Sequence, residues 1–463
     1  MLSKNKTDLN TDLLQKYSVS IPRYTSYPTA PEWTENFTKE SLLEAIEIGN
    51  KKKSPISLYF HLPFCESQCY FCACNVVISK KKEMTTPYLS QIKKELELTS
   101  RLVNKNRVVE QIHFGGGTPT YFNSTELTEL FNKIKDNYSI SQNCEIGVEI
   151  DPRVTTVEHL KTLSQLGFNR LSMGIQDFNL KVQESINRVQ SFEDTSEIFK
   201  HSRDLGFESI NVDLIYGLPF QTKETFSETV ELILRLNPDR IALFHYAHLP
   251  QLIKHQDKYI SSETLPDSNI KTEIFQYAVQ ALTSSGYIFI GLDHFAKSSD
   301  ELAIARKNKT LHRNFQGYTT KSGCDLFGFG ITAISNVQNT FSQNIKKINP
   351  YHEALDLNNS PVFRGIVLSE DDTLRREIIM KILCHGLLIK SEIEEVYNIK
   401  FDSYFRDENE KLCVLEKDRL VNLSKDTIEV TSTGQFFLRN IACVFDHYLQ
   451  NKNGKQKIYS RSV

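Results

Sequence analysis

From about residue 55 onward, apolar and polar positions fall into a repeating order. A short run of β-formers ends at a glycine, proline or acidic turn, and a stretch with helical spacing follows. The strands read this way are Ser57–His61, Val109–Phe114, Glu145–Ile150, Arg170–Ile175, Ser209–Tyr216 and Arg240–Tyr246. Between them fall helices at Tyr88–Leu102, Ser124–Asn137, Thr156–Leu166, Phe192–Leu205 and Thr222–Leu236. In "STELTELFNKI", Leu127, Leu130, Phe131 and Ile134 share one helical face. Ser124 followed by Glu126 reads as a start signal; Leu166-Gly167 and Leu205-Gly206 read as stops. Strands alternating with helices predict an α/β fold of right-handed βαβ units on a parallel sheet, closed into a barrel or an incomplete barrel. "SSGYIFIGLDHFAK" adds a strand after a helix at Asp267–Thr283. After about Pro361 the pattern changes. "SEDDTLRREIIMKILCHGLL" predicts a capped helix with Leu374, Ile378, Ile382 and Leu383 on one face, and "DRLVNLSKDTIEVTSTGQFFLRNIACVF" predicts a hairpin and then a helix. This is a small, mainly helical domain of winged-helix-like outline. Its mixed charges suit a lid or clamp better than a nucleic-acid module. The last stretch, "NKNGKQKIYSRSV", reads as a frayed tail.

The unusual sequences gather at one end of this architecture. The cysteine-rich stretch follows the first strand and "GGGTPT" the second; "VEIDPR", "GIQDF", "DLIYGLP" and "YAHLP" end the next four. In βα barrels the C-terminal strand ends carry the chemistry. Bulk composition narrows the setting. The 463 residues are 40% hydrophobic and 24% charged, enough for a large core, and a net charge of −2 provides no field to attract nucleic acid. Lys80-Lys81-Lys82-Glu83 reads as a solvated loop. No run of about 18 apolar residues exists, so no membrane span is expected. "MLSKNKTDLNTDLLQ" lacks the apolar centre of a secretory signal, so a cytoplasmic protein is expected.

"FHLPFCESQCYFCACN" holds Cys65, Cys69, Cys72 and Cys74, four of the nine cysteines. Clustered thiols in an intracellular chain bind metal or do redox work more often than they form disulfides. A structural zinc site wants a second ligand pair, but Cys144, Cys324, Cys384, Cys413 and Cys443 are scattered. A thioredoxin-type motif leaves Cys65 unexplained. Three thiolates in the order Cys65-x3-Cys69-x2-Cys72 suit a cubane [4Fe–4S] cluster with one iron left open. Cys74 as a fourth ligand would close that iron; the alternative is a neighbouring, redox-sensitive thiol. Gly115–Gly117 let a ligand approach the backbone closely, and without a phosphate-loop lysine they do not predict a nucleoside triphosphate site.

Loop, rhythm and rim motifs together resemble the radical S-adenosylmethionine (SAM) superfamily, and more closely its oxygen-independent coproporphyrinogen III oxidase family. The carrying stretches are "PRYTSYPTA", "HLPFCESQCYFCACN", "FGGGTPTY", "EIDPR", "NRLSMGIQDFN", "NVDLIYGLP", "YAHLP", "DHFA", "LHRNFQGYTT" and "RNIACVFDHYL". The resemblance implies an N-terminal arm and lead-in helix at 1–54, a radical SAM partial (β/α) barrel with an extension at 55–360, and the helical domain at 361–463. It implies one [4Fe–4S] cluster on Cys65, Cys69 and Cys72, and two SAM molecules. Tyr59, Gly116 and Glu149 would meet the first, with Tyr59 and Glu149 closest to the chemistry. Phe71, Gly117, Thr118, Gln176, Arg188, Asp213, Ala247 and Ile334 would meet the second. Arg23, Tyr24, His312 and Arg313 are candidate contacts to coproporphyrinogen III, whose four propionates call for cations. The implied reaction turns two propionates into vinyl groups, giving protoporphyrinogen IX, by way of a 5′-deoxyadenosyl radical. A low-potential electron donor of flavodoxin or ferredoxin type, a monomeric state and no nucleic-acid partner complete the expectation. Two alternatives within the superfamily stay open: a haem-binding chaperone and an enzyme acting on haem itself. "PRYTSYP" and the Cys72-x-Cys74 ending favour the oxidase.

Overall fold

A computed structural model of the chain describes residues 11–450 and 459–461. Its main sheet contains β1 (Ile56–Leu62), β2 (Val108–Gly116), β3 (Ser139–Ile150), β4 (Arg170–Gln176), β5 (Ser209–Tyr216) and β6 (Arg240–His245), all parallel and adjacent in sequence order. Period-2 alternation gives each strand two unlike faces. On β1, Leu58, Phe60 and Leu62 are buried on one face, where Phe60 packs against Phe114 and Phe329 at 5.1 and 5.0 Å between ring centroids. Ser57, Tyr59 and His61 point to the other face, the lumen.

The connecting helices begin where their side-chain caps fall. Thr156 and Thr222 stay extended and cap Val157–Leu166 and Lys223–Leu236, and Asp267 caps Ser268–Ser284. The helix Ser124–Asn137 has the expected bounds, but its cap is Asn123 rather than Ser124: Asn123 accepts from the Glu126 amide in a capping box.

Both flanks of the parallel sheet are antiparallel. "SSGYIFIGLDHFAK" forms two strands, β7 (Tyr287–Gly291) and β8 (His294–Lys297), rather than one, because the chain reverses at Leu292-Asp293. On the other side β9 (Asp325–Phe329) runs parallel to β1 and is extended by β10 (Ile334–Val337), β11 (Thr340–Asn344) and β12 (Val362–Val367). The full order is β12-β11-β10-β9-β1-β2-β3-β4-β5-β6-β8-β7, and the two outer strands do not pair with each other, so the barrel is open. β12 carries the sheet across the 360/361 division drawn from sequence.

The C-terminal region starts at the helix Glu370–His385, boxed by Ser369 and Asp372, with Leu374, Ile378, Ile382 and Leu383 buried. A three-stranded antiparallel sheet, Leu387–Ile389, Thr427–Val430 and Val421–Leu423, packs with it. It shares one hydrophobic core with the barrel. Contacts to the N-terminal arm tighten the clamp: Arg439 donates to the carbonyl of Pro22 at 3.0 Å, and Tyr24 donates to Asp446 at 2.9 Å. Of the tail expected to fray, 451–458 and 462–463 lie outside the described residues. Tyr459–Arg461 are held, since Ser20 bridges Arg461 and Arg439 donates to the Arg461 carbonyl.

Candidate active site

The cysteine loop leaves β1 at Pro63 and is stitched down along its length. Phe64–Cys65 pairs in parallel with Val77–Ile78, while the amides of Gly117 and Thr118 donate to Leu62 and Phe64 at 2.9 Å. A side chain at position 117 would meet the Pro63 carbonyl at 2.5 Å, so glycine is required where the two loops cross. Further along, Asn187 donates to Gln68, Tyr70 N–H to Ile186 and Gln256 to Phe71, and His255 Nε2 lies 2.7 Å from the Cys72 carbonyl. Thr118 Oγ1 lies 3.4 Å from Cys65 Sγ, and Arg153 and Arg188 each donate to Cys69 Sγ at 3.6 Å.

Cys65, Cys69, Cys72 and Cys74 open on one cavity of about 350 Å3. Among the described residues, no three His, Cys, Asp or Glu side chains converge closely enough for a single metal ion. Thiols spread around a cavity instead suit a cluster in which each iron takes its own thiolate. A hydrogen bond from Cys74 pulls the Cys72 thiol down to about 7 and raises Cys74 itself.

Opposite the thiols stand carboxylates from the next strand ends. Glu149 closes β3: one oxygen accepts from the Gly116 amide at 3.1 Å, and the other lies 3.3 Å from His113 Nε2. Burial pushes its pKa upward, but His113 and the Gly116 amide outweigh burial and leave it below the ordinary value. Asp151 is buried and met by Arg188 at 2.9 Å and Arg153 at 2.6 Å; against burial, these cations keep it ionised. Asp213 on β5 goes the other way. Burial raises it to about 7, only partly opposed by hydrogen bonds from Asn211 and Ser172.

Two buried side chains on this cavity have polar atoms without partners, Gln176 Oε1 and Arg188 Nε. Gln176 also sits at φ +72, a strained backbone for a residue that is not glycine. Orphaned polar atoms beside compensated carboxylates fit a zwitterionic, hydrogen-bonding group such as SAM.

The structure gathers most of the residues singled out from sequence. Phe71, Gly116, Gly117, Thr118, Glu149, Gln176, Arg188 and Asp213 line the thiol cavity. Tyr59 and Ile334 line a larger adjoining cavity of about 840 Å3, which shares Cys72, Cys74, Gly116 and Glu149. Tyr59 hydrogen-bonds His61 at 3.1 Å and stacks on His113. Ala247 reaches the cysteine loop through Gln256, which donates to both the Ala247 and Phe71 carbonyls.

The four substrate candidates are dispersed. Arg23 lies 3.5 Å from Asp293 and over the Phe244 ring. Arg313 is buried over Tyr318 with Nε and Nη1 unpartnered. His312 lines a third cavity, at the N-terminal end of β1. Tyr24 is fully buried and spent on Asp446, so it holds the arm rather than opening on a cavity. Sequence reasoning passed over His113, His255 and Gln256. His113 is marked only by its position one lumen layer below Gly115, and no local signal marks the other two.

Loop thiols, rim glycines and an open parallel sheet define a radical SAM protein. Residues 59–233 match the family description "Radical SAM superfamily". A relative from Synechocystis sp., an oxygen-independent coproporphyrinogen III oxidase, is 46% identical over 98% of both chains. One of the same name from Escherichia coli is 42% identical over the full length of both. The solved structure of E. coli coproporphyrinogen III oxidase (HemN), described as a radical SAM enzyme, superposes with a TM-score of 0.91 at 41% identity, covering 95% of this chain and 99% of that one. The chain belongs to the oxygen-independent coproporphyrinogen III oxidase family, and with it to the enzymes that use a [4Fe–4S] cluster and SAM. No helix among the described residues is long and apolar enough to cross a membrane.

Proposed function

We propose that the chain carries out the oxygen-independent oxidative decarboxylation of two propionates of coproporphyrinogen III, giving protoporphyrinogen IX. The observation that carries the reading is the meeting of three loop thiols, compensated carboxylates and two orphaned polar side chains in one cavity of a chain with full-length relatives of that name. Cys65, Cys69 and Cys72 hold the cluster. Once bound, the cluster and SAM would supply radical chemistry able to take a hydrogen atom from a propionate β-carbon, the net change being loss of CO2 from that propionate and of one electron to an external acceptor to leave the vinyl group.

The protein's part is binding, orientation and exclusion of water. Glu149, kept ionised and aimed by Gly116 and His113, accepts from SAM hydroxyl or ammonium groups. Tyr59 stands beside it in the adjoining cavity. A second SAM lies against Phe71, Gly117, Thr118, Gln176, Arg188, Asp213, Ala247 and Ile334. Both ends of the Arg188 fork are engaged, Nη1 by Asp151 and Nη2 by the Gly174 carbonyl, which leaves Nε for this ligand. Near neutral pH Asp213 is partly protonated and donates as well as accepts. Arg23, Arg313 and His312 meet substrate carboxylates. The reductant is a low-potential donor of flavodoxin or ferredoxin type, and the chain works as a cytoplasmic monomer.

The test is anaerobic. The cluster-loaded chain receives reductant, SAM, coproporphyrinogen III and an electron acceptor, and the porphyrins are separated. Protoporphyrin is expected. SAM cleavage with the porphyrinogen unchanged would overturn the substrate. Equilibrium dialysis of SAM against the loaded chain counts the SAM sites.

A further inference from the structure

The third cavity, of about 520 Å3, lies one layer below the larger upper one. Ser57 and Tyr59 are successive lumen-facing residues of β1, as are Ile334 and Asn336 of β10. Each pair is roughly 7 Å apart along its strand, and its two members line the lower and upper cavities separately. Leu326 lines both. So does one hairpin, with His312 and Asn314 below and Phe315 and Gln316 above.

The lower cavity holds a cation that no carboxylate of its lining neutralises. Its carboxylate, Asp325, is already bound by Arg107 at 2.5 Å and by the amide and side chain of Gln338, both at 2.9 Å. Lys321 leans on Glu110 at 3.4 Å and Lys52 on Gln338 at 3.1 Å. Arg376 has no such counter-charge. It donates to Asn336 Oδ1 at 2.6 Å and lies over the Phe341 ring at 4.9 Å, with no carboxylate in salt-bridge range among the described residues. Burial pulls its pKa down to about 10. Burial, then the Arg376 charge, brings the facing His312 down to about 4, so that the imidazole is neutral and able to donate. A half-buried guanidinium without a counter-ion is costly to keep charged, and its fork matches a carboxylate.

We propose that this lower cavity is a carboxylate subsite. Arg376, positioned by Asn336 and aided by His312, takes a propionate of the macrocycle that is not decarboxylated, while a reacting propionate faces the thiol cavity above. The inference rests on the reading that the substrate is a tetrapyrrole tetracarboxylate, and it extends that reading to the acid groups retained in the product.

The cluster-loaded full chain and its Arg376→Leu form are compared by two measurements. One is equilibrium binding of coproporphyrin III, followed by its fluorescence; the other is KM and kcat for coproporphyrinogen III. Binding should weaken and KM rise by about tenfold or more, with kcat and SAM cleavage changed by less than about threefold, as fits a contact made alike in ground and transition states. Unchanged binding and KM in a variant with normal iron content and melting would overturn the subsite. If the Arg376→Leu chain does not fold, Arg376→Lys decides: a single ammonium cannot reproduce the fork, so KM should rise about threefold, and an unchanged KM again overturns it. Decarboxylation by the parent with no effect of either variant would sink the subsite alone. Binding sensitive to Arg376 without any decarboxylation would sink the functional reading alone.

Discussion

The two ends of the lumen handle charge in opposite ways. At the thiol end Asp151 meets two arginines and Glu149 meets a histidine and a backbone amide, so most charge is settled within the protein. At the far end Arg376 meets an amide oxygen, an aromatic ring and a neutral histidine, with no carboxylate in salt-bridge range among the described residues. A compensated site suits a zwitterion held by hydrogen bonds, and an uncompensated cation suits an anion. One open barrel thus presents two different charge environments at the two ends of its lumen.

The comparison breaks most completely at the thiols. Cys69→Ser removes one of the three proposed ligands and should abolish 5′-deoxyadenosine formation while the fold persists; a normal rate in that variant would sink the assignment. Next comes Gly117→Ala. Its methyl group would collide with the Pro63 backbone, so the cysteine loop must move and iron content after reconstitution should fall severalfold, read as iron per chain. Asp213→Asn acts through pH. The Asp213 pKa is raised above its unfolded value, so the folded state binds the proton more tightly and stability declines as pH climbs from about 4 to about 7. An amide has no such loss. The variant should match the parent near pH 4 and exceed it by about 1–2 kcal/mol at pH 8, a figure reduced because the side chain is only half-buried; parallel melts at the two pH values decide. Tyr24→Phe should do least, lowering stability by about 1 kcal/mol through the lost bond to Asp446 and leaving KM for the porphyrinogen alone. A raised KM would return Tyr24 to the substrate.

The parallel strands were legible because each has one apolar face against helices and ends at a rim with marked chemistry, as β1 does between Phe60 and Cys65. The antiparallel extension was not. Thr340–Asn344 is buried on both faces although it carries Ser342, Gln343 and Asn344, so no alternation betrays it. β7 and β8 merged into one expected strand because the turn at Leu292, φ +52, has none of the residues that favour such a backbone. At the site, the cysteine spacing and the glycines announced themselves locally. Gln256 and His255, which hold the loop from far along the chain, could emerge only from the fold, and so could the placing of His312 and Arg376 on one cavity.

The most direct measurement follows the hydrogen atom. Coproporphyrinogen III deuterated at the propionate β-carbons is turned over anaerobically by the cluster-loaded chain, and the 5′-deoxyadenosine is weighed by mass spectrometry. Our account predicts one deuterium in each 5′-deoxyadenosine, formed in step with each carboxylate lost. Vinyl product accompanied by unlabelled 5′-deoxyadenosine would contradict it.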